Sequence, residues 1–248
     1  MKSLYQALLV AILLPFVACQ KEVSEDLPGS PKPTNKVKTY TEDYTSSTGE
    51  HTVATFVLSY DESDRLTSLV NSEHPGDKFV YGYSGDNLVT TDIYNSNEVV
   101  IHDDAVINEM GLVDSTVQYN NEGDTLVQKF FYNEAKQLIA VQLFDVINGE
   151  MQMWSATTYT YDQGGNLVSE AGEDGIITYE YEKIILNTVA IAPTYMYLPK
   201  QLPTKQIITN GSETASIVHT YVFDEENRLT EDKAVASDGS MVIKTYTY

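Results

Sequence analysis

Large apolar residues alternate with polar ones along most of the chain after residue 39. An alternation with a period of two is typical of a β-strand that packs one face on a core. Six stretches show it as two large side chains separated by one residue: Leu58 and Tyr60, Tyr81 and Tyr83, Phe130 and Tyr132, Tyr159 and Tyr161, Tyr179 and Tyr181, Tyr221 and Phe223. We therefore predict a strand at each stretch, with Tyr81, Phe130, Tyr159 and Tyr221 buried on one shared face.

A short phrase, here named the turn phrase, begins at the second residue of most of these pairs, continues through polar residues and ends on a leucine. Full copies (YDESDRL, YNEAKQL, YDQGGNL and FDEENRL) and two shorter ones occupy residues 60–66, 132–138, 161–167, 223–229, 83–88 and 107–112. The Asp, Asn or Ser in second place can accept a hydrogen bond from the backbone two residues on. A residue of positive φ in fifth place would close a type I turn followed by a bulge. The fifth-place residues of the full copies are Asp64, Lys136, Gly165 and Asn227.

Regular recurrence of the turn phrase predicts a repeat protein built from about seven hairpins. Seven hairpins give an all-β fold of about 14 strands in antiparallel meander order. A flat sheet of that length would leave two exposed edges and a wet aromatic face, so we expect it to roll into a barrel-like or half-barrel soluble domain. The final KTYTY, residues 244–248, would close or cap the roll. Charges on both strand faces argue against a transmembrane barrel.

The first residues have the pattern of a bacterial secretory signal. Lys2 is followed by a short apolar stretch, and FVAC places Cys19, the only cysteine, directly after a small residue. FVAC resembles a bacterial lipobox, so we predict that residues 1–18 are a lipoprotein signal peptide and that Cys19 is acylated, which makes the membrane a partner. Residues 19–38 would form a lipid-anchored flexible tether, and residues 39–248 a single repeat-built β domain.

The residue after the cysteine is Gln20, which does not resemble an inner-membrane retention signal. We therefore expect lipid anchoring to the outer membrane. The periplasmic and the cell-surface faces both stay open.

The repeated phrase resembles the YD repeat of Rhs-type proteins. Combined with the lipobox and the tether, the degenerate copies resemble a family of Bacteroides-type outer-membrane lipoproteins of unknown function. The resemblance covers nearly all of the chain after Cys19 and implies a porin-like fold, with no assigned activity. The chain departs from the repeat in two ways. Among the full copies only Gly165 supplies the glycine usual in fifth place, and the sixth unit has no turn phrase.

One segment, residues 183–206, breaks the repeat. Three prolines interrupt its apolar run, so we expect a loop or crossing segment, with at most one or two helical turns. Two hypotheses stay open: a ligand site in which Tyr195, Tyr197 and Lys200 contact a glycan, or a plug that packs the same tyrosines inside the roll. We expect the plug. Trp154, the only tryptophan, alternates away from the ring-bearing face and would face outward. It could form a sugar-stacking platform, but we expect a partly covered strand residue.

Composition limits the chemistry that the protein can perform. A formal net charge of −21 disfavours binding to nucleic acid or to anionic lipid head groups. The histidines have no metal-ligand spacing, and we predict them at the surface or at strand edges: His51, His74, His102 and His219. The sequence has no nucleophile–base motif and no phosphate-binding loop. We therefore predict no metal, no cofactor and no enzyme activity.

These features favour a cell-envelope lipoprotein that serves as a non-catalytic binding module for a glycan or an envelope protein. The alternative is a purely structural scaffold lipoprotein with no small ligand. A third hypothesis, an enzyme acting on envelope or dietary glycans, would need a cleft with two carboxylates under residues 183–206. The oligomeric state stays open.

Overall fold

Sixteen antiparallel strands form a closed barrel in the part of the chain that the structure describes. This computed structural model describes residues 36–85, 87–182, 184, 185, 187, 189 and 201–248. The strands are β1 (Thr39–Thr45), β2 (His51–Tyr60), β3 (Leu66–Asn71), β4 (Lys78–Ser84), β5 (Asn87–Asn95), β6 (Glu98–Ile107), β7 (Val113–Asn120), β8 (Thr125–Tyr132), β9 (Leu138–Ile147), β10 (Glu150–Tyr161), β11 (Leu167–Gly172), β12 (Gly175–Glu180), β13 (Lys205–Asn210), β14 (Glu213–Phe223), β15 (Leu229–Ala236) and β16 (Met241–Thr247). The described residues include no helix, and so none that could cross a membrane.

The predicted all-β antiparallel meander is confirmed, and the roll is a full barrel. Seven hairpins supply β2 to β15, each paired with its neighbours in sequence. The prediction of about 14 strands falls short by the two terminal strands, because no turn phrase precedes β1 and none follows β16. These two strands pair with each other, with Tyr40 opposite Tyr246 and Glu42 opposite Lys244, and so close the ring.

The turn phrases fold as predicted. In the first copy Asp61 Oδ1 accepts hydrogen bonds from the backbone N–H groups of Ser63 and Arg65, at 2.9 and 3.0 Å. The fifth-place residues all have positive φ: Asp64 at 66°, Lys136 at 60°, Gly165 at 82° and Asn227 at 58°. Even Lys136, whose side chain disfavours this conformation, adopts it, because the turn geometry requires it.

A bulge follows each turn phrase. In the first copy Tyr60 pairs with Leu66 and Ser59 with Ser68, which leaves Thr67 as the extra residue. The same shift of register recurs at the other five phrases. Because a bulge bends the strand that carries it and increases its twist, a series of bulges along one rim helps to curve the sheet into a barrel.

Six tyrosine hydroxyls near the rim that carries the turn phrases, here named the tyrosine girdle, each link a strand to the strand before it; β6 and β14 end instead on Ile107 and Phe223, which have no hydroxyl. Each hydroxyl donates to a backbone carbonyl at or just before the start of the preceding strand. The bonds, 2.7–3.0 Å long, run from Tyr60 to Val37, Tyr83 to Leu66, Tyr132 to Val113, Tyr161 to Leu138, Tyr181 to Leu167 and Tyr248 to Leu229. Most of the acceptors are the leucines that end a turn phrase. The repeated phrase therefore supplies four of the six donors and four of the six acceptors of the girdle.

The turn phrases lie along one rim, the phrase end, and the interior is packed against the wall near it. Two groups of buried residues lie on different stretches of wall: Val37, Tyr40, Leu58, Leu66, Val189, Leu229 and Tyr246 in one, and Val113, Phe130, Leu138 and Val141 in the other. Tyr81 and Tyr221 pack against the first group, and Tyr159 packs against the second. The predicted ring-bearing inner face is therefore confirmed.

The irregular segment connects β12 to β13 in place of a turn phrase, and its described residues contact the barrel at the phrase end. Val189 is buried in the first group, and Leu202 packs against that group. The Leu202 backbone N–H donates to the Ile185 carbonyl at 2.8 Å. These described residues pack as the plug hypothesis expects. Tyr195, Tyr197 and Lys200 lie outside the described residues, so their place in the segment stays a prediction.

Candidate functional site

The longest strand, β10, extends beyond the strand that follows it. It has twelve residues, whereas β11 has six. Pairing between the two runs only from Thr158, opposite Ala171, to Tyr161, opposite Leu167. In the described part of the chain, residues 150–157 have a strand partner on the β9 side alone. The β9–β10 hairpin therefore rises above its neighbour at the rim opposite the phrase end, here named the far end, and presents one free edge.

The turn of this hairpin determines which backbone groups point to the free edge. Asn148 and Gly149 both have positive φ, 55° and 83°, the conformation of a two-residue type I′ turn. Such a turn is closed by a hydrogen-bonded pair, here Ile147 and Glu150. Because bonded and non-bonded positions alternate along an antiparallel pair, the backbone N–H and C=O of Met151 and Met153 point away from β9. These groups lie on the free edge.

The side chains at the free edge form an exposed apolar surface, here named the edge patch: Met151, Met153 and Trp154. Their exposed fractions are 44%, 58% and 50%. Trp154 is the extra residue of a bulge between Met153 and Ser155. The structure thus places Trp154 in the exposed position that its alternation predicts. A thioether pair beside an indole is an adaptable contact surface, of the kind that binds protein segments.

An acidic turn lies at the foot of the free edge. Gly172 ends β11 beside β10, so close that a Cβ on it would lie 3.3 Å from Thr157 Oγ1. Glu173 and Asp174 form the next turn, and both are exposed. Glu150, at the tip of the hairpin, is also exposed. The edge patch is therefore flanked by carboxylates.

A second set of polar residues, here named the lumen cluster, lines the inner wall: Glu42, Gln206, His219, Asp232 and Lys244. Within it His219 Nδ1 lies 3.0 Å from Asp232 Oδ1, and His219 Nε2 lies 3.1 Å from Gln206 Nε2. Glu42 and Asp232 stand opposite Lys244 on the two adjacent strands. Burial lowers the pKa of Lys244, and the attraction of the two carboxylates opposes that effect. The prediction that His219 lies at the surface or at an edge is wrong, because it shares the inward face of its strand.

Two further carboxyl groups face inward. Burial raises the pKa of Glu170, which accepts a hydrogen bond from the Tyr179 hydroxyl. Burial also raises the pKa of Asp103 to about 6. Gln118 Nε2 donates to Asp103 Oδ2 at 3.4 Å, while Oδ1 is buried and has no hydrogen-bond partner. Burial on the inner wall therefore disfavours the ionised forms of Asp103 and Glu170.

On the outer wall His102 is held between two carboxylates. Its Nδ1 lies 2.6 Å from Asp92 Oδ1 and its Nε2 lies 3.2 Å from Asp104 Oδ1. The hydrogen bond with Asp92 is the main reason that the pKa of His102 is raised. Throughout the described residues, no group of three or more His, Cys, Asp or Glu side chains is placed to hold a metal ion.

The structure describes only one of the predicted site residues, and its ligand contact stays a prediction. Trp154 is exposed at the edge patch, whereas Tyr195, Tyr197 and Lys200, like Cys19, lie outside the described residues. Residue patterns alone missed Met151 and Met153 as surface residues. The distance between turns could have indicated them, because the strand before the turn phrase at 161–167 is long and the strand after it reaches GEDG within a few residues.

The fold is similar to that of solved bacterial proteins, although no family model and no curated protein matches the sequence. A porin-like protein from Bacteroides uniformis aligns with a TM-score of 0.65 at 16% identity, over 88% of this chain and 97% of that one. A porin-like protein from Bacteroides vulgatus aligns with a TM-score of 0.49 at 11% identity, over 86% and 99% of the two chains. The Tc holotoxin pore of Photorhabdus luminescens aligns with a TM-score of 0.34 at 13% identity, over 75% of this chain and 9% of that one. At these identities the first alignment supports the porin-like fold and nothing finer.

Proposed function

We propose that the protein is a non-catalytic binding module of the cell envelope that holds a partner protein at the edge patch. The observation that supports this proposal is the free edge of β10, which combines unpaired backbone groups with the exposed side chains of Met151, Met153 and Trp154. Long unpaired edges are usually protected by lysine, proline or a covering element. Residues 150–157 include no lysine and no proline, which fits an edge kept available for a partner.

A protein partner fits this surface better than a glycan does. Thioethers, which bond hydroxyls weakly, lie directly beside Trp154, and the carboxylates of the acidic turn lie at the foot of the edge. The unpaired backbone groups between them are satisfied best by the backbone of another protein strand. A recess on the inner wall between Tyr44, Ile217 and Val242 has a volume of only about 30 Å³. About 10–15 Å³ of such volume holds one water molecule, so this recess has room for two or three waters and does not admit a sugar.

The lumen cluster supports a non-catalytic role. A general base needs a free acceptor atom within reach of its substrate. Both ring nitrogens of His219 have a polar neighbour, Asp232 on one side and Gln206 on the other. Such mutual pairing is typical of a structural polar network inside a barrel wall.

The proposed anchor fits the position of the edge patch. Acylation of Cys19 would attach the tether to the outer membrane, and the tether meets the barrel at the phrase end, where β1 begins. The edge patch lies at the far end, directed away from the anchor. Outward-facing charged residues such as Asp43, Lys129 and Lys233 suit a wall that contacts water instead of lipid tails.

A structural scaffold with no ligand is the second candidate function. The packing of Val189 and Leu202 inside the phrase end favours it, because a plug that completes a core needs no further role. The two candidates differ at the edge patch, which a scaffold would not use.

In-cell photo-crosslinking separates the two candidates. A benzophenone amino acid replaces Met153, and in a control protein it replaces Val218, which is similarly exposed but lies on a strand paired on both sides. The proposal expects one discrete protein adduct from position 153 and none from position 218. No adduct at either position, or equal adducts at both, would favour the scaffold. Replacing Cys19 with Ala tests the anchor separately and should release the protein from membranes.

A further inference from the structure

We propose that the segment bound at the edge patch is an extended, lysine- or arginine-rich strand of the partner, which pairs with residues 150–157 of β10. This inference rests on the proposed function and specifies the chemistry of the partner. It is carried by the geometry of the edge, by the side chains beside it and by the charge around it.

The backbone geometry favours a strand over other shapes. Met151 and Met153 present N–H and C=O groups at alternate positions along a straight edge, which is the pattern that a strand satisfies. Neither a helix nor a globular surface can bond both groups at that spacing. The bulge at Trp154 interrupts the regular alternation of edge groups, and from Thr158 onward β10 is paired with β11. The added strand would therefore bond mainly along residues 150–153.

The side chains favour apolar residues at alternate positions of the added strand. Met151 and Met153 share the outer face of the hairpin, since Met153 pairs with Phe144 and Met151 with Val146. Cross-strand apolar pairs on one face stabilise an added strand. The opposite face carries Gln152, which is exposed and polar. The pattern fits a strand whose apolar and polar residues alternate.

Charge excludes a second copy of this chain and favours a basic partner. Glu173 and Asp174 lie at one end of the free edge and Glu150 at the other. The whole chain carries a net charge of −21, so two copies meeting at this edge would repel each other. A strand with Lys or Arg at its polar positions would instead pair with these carboxylates. Such complementarity contributes to partner choice and to the rate of encounter.

The fluorescence of Trp154 provides a direct test, because it is the only tryptophan in the chain. A short peptide of alternating Lys and Val, without tryptophan, is titrated into the protein. We expect a saturable blue shift of the emission as the indole is covered. A peptide of alternating Glu and Val should give no shift, because its charges match those of the acidic turn.

Three matched comparisons test the inference: the first two separate strand addition from simple attraction, and the third tests the contribution of the acidic turn. The Lys–Val peptide with every backbone amide N-methylated keeps its charge but can donate no backbone hydrogen bond from either of its edges, so its affinity should fall at least about tenfold. Met151→Pro removes the edge N–H and should have a similar effect, whereas Met151→Ala removes the thioether and keeps the N–H. Glu173→Lys with Asp174→Lys should weaken binding, whereas Glu122→Lys with Glu213→Lys makes the same change of charge elsewhere on the far end.

Equal binding of the methylated and unmodified peptides would overturn the inference, as would the absence of any shift. Dimerisation of the free protein through β10, seen as a doubled mass in sedimentation that Met151→Pro abolishes, would also overturn it. A discrete crosslink from position 153 without any peptide binding would leave the proposed function standing and reject the added strand alone.

Discussion

At the residue scale, neighbouring side chains have opposite environments because successive residues of a strand face opposite sides of the wall. Phe130 is buried in the interior, whereas Phe131 is 41% exposed on the outside. Asp103 faces inward, whereas Asp104 on the outer wall contacts His102. Adjacent positions therefore offer matched pairs for mutagenesis, in which chemistry is constant and only the environment changes.

Truncation of Phe130 should be costly and truncation of Phe131 should not. Phe130→Ala removes a buried ring that packs against Val113, Leu138 and Val141, and we expect a loss of about 3–5 kcal/mol in the free energy of unfolding. Phe131→Ala should cost less than about 1 kcal/mol, since its ring is partly in water. Urea denaturation of both variants checks this. An equal effect of the two substitutions would mean that the inner face is not the core.

Asp103 should make the stability of the protein dependent on pH. Its pKa in the folded protein is about 6, raised from 3.8 by burial, so folding favours the protonated form. The stability that this group contributes is fully present below pH 3.8 and is lost as pH rises through 6. Asp103→Asn should therefore raise the free energy of unfolding by up to about 3 kcal/mol at neutral pH and change it little near pH 4.

Denaturation midpoints measured across this pH range test that expectation. The matched control is Asp114→Asn, which changes an exposed carboxylate and should shift stability by less than about 0.5 kcal/mol at any pH. A stability gain for Asp103→Asn that does not vary with pH would contradict the account.

At the element scale, the turn phrase is the unit of construction. Its turn is a local feature, because it depends only on residues that are neighbours in the sequence. The side chain of Asp61 bonds the backbone two residues on, and Gly165 adopts the positive φ expected of the fifth place. The sequence therefore predicted both. The tyrosine girdle was not predictable in this way. Its acceptors, such as Leu138 for Tyr161, belong to the preceding repeat and come within reach only when the strands pair.

Removing one hydroxyl from the girdle should weaken the contact between two hairpins. Tyr161→Phe deletes the 2.9 Å bond to the Leu138 carbonyl and leaves the ring in place. We expect a loss of about 1–3 kcal/mol in the free energy of unfolding, because a shielded acceptor is left without its partner. Tyr119→Phe is the control, since Tyr119 is 44% exposed on the outer wall, and it should be nearly neutral. Equal melting temperatures for all three proteins would show that the girdle does not stabilise the barrel.

At the scale of the whole molecule, the fold was largely predictable and the candidate site was not. Repetition predicts the meander and its closure, but the pairing of β1 with β16 depends on strands that no turn phrase marks. The free edge arises from the unequal lengths of β10 and β11, a property of two strands together and not of either pattern alone. Trp154, the one predicted site residue that the structure describes, lies on it.

Amide hydrogen exchange resolved by residue tests the central claim, a closed barrel with a long free edge on β10, most directly. Amides in β1 and β16 should exchange as slowly as those of an interior strand such as β8, because both form complete ladders. The amides of Met151 and Met153 should exchange rapidly, whereas those of Glu150 before them and Gln152 between them are protected by β9. Fast exchange throughout β1 and β16 would mean an open sheet, and slow exchange at Met151 and Met153 would mean a covered edge. Either result would contradict the account.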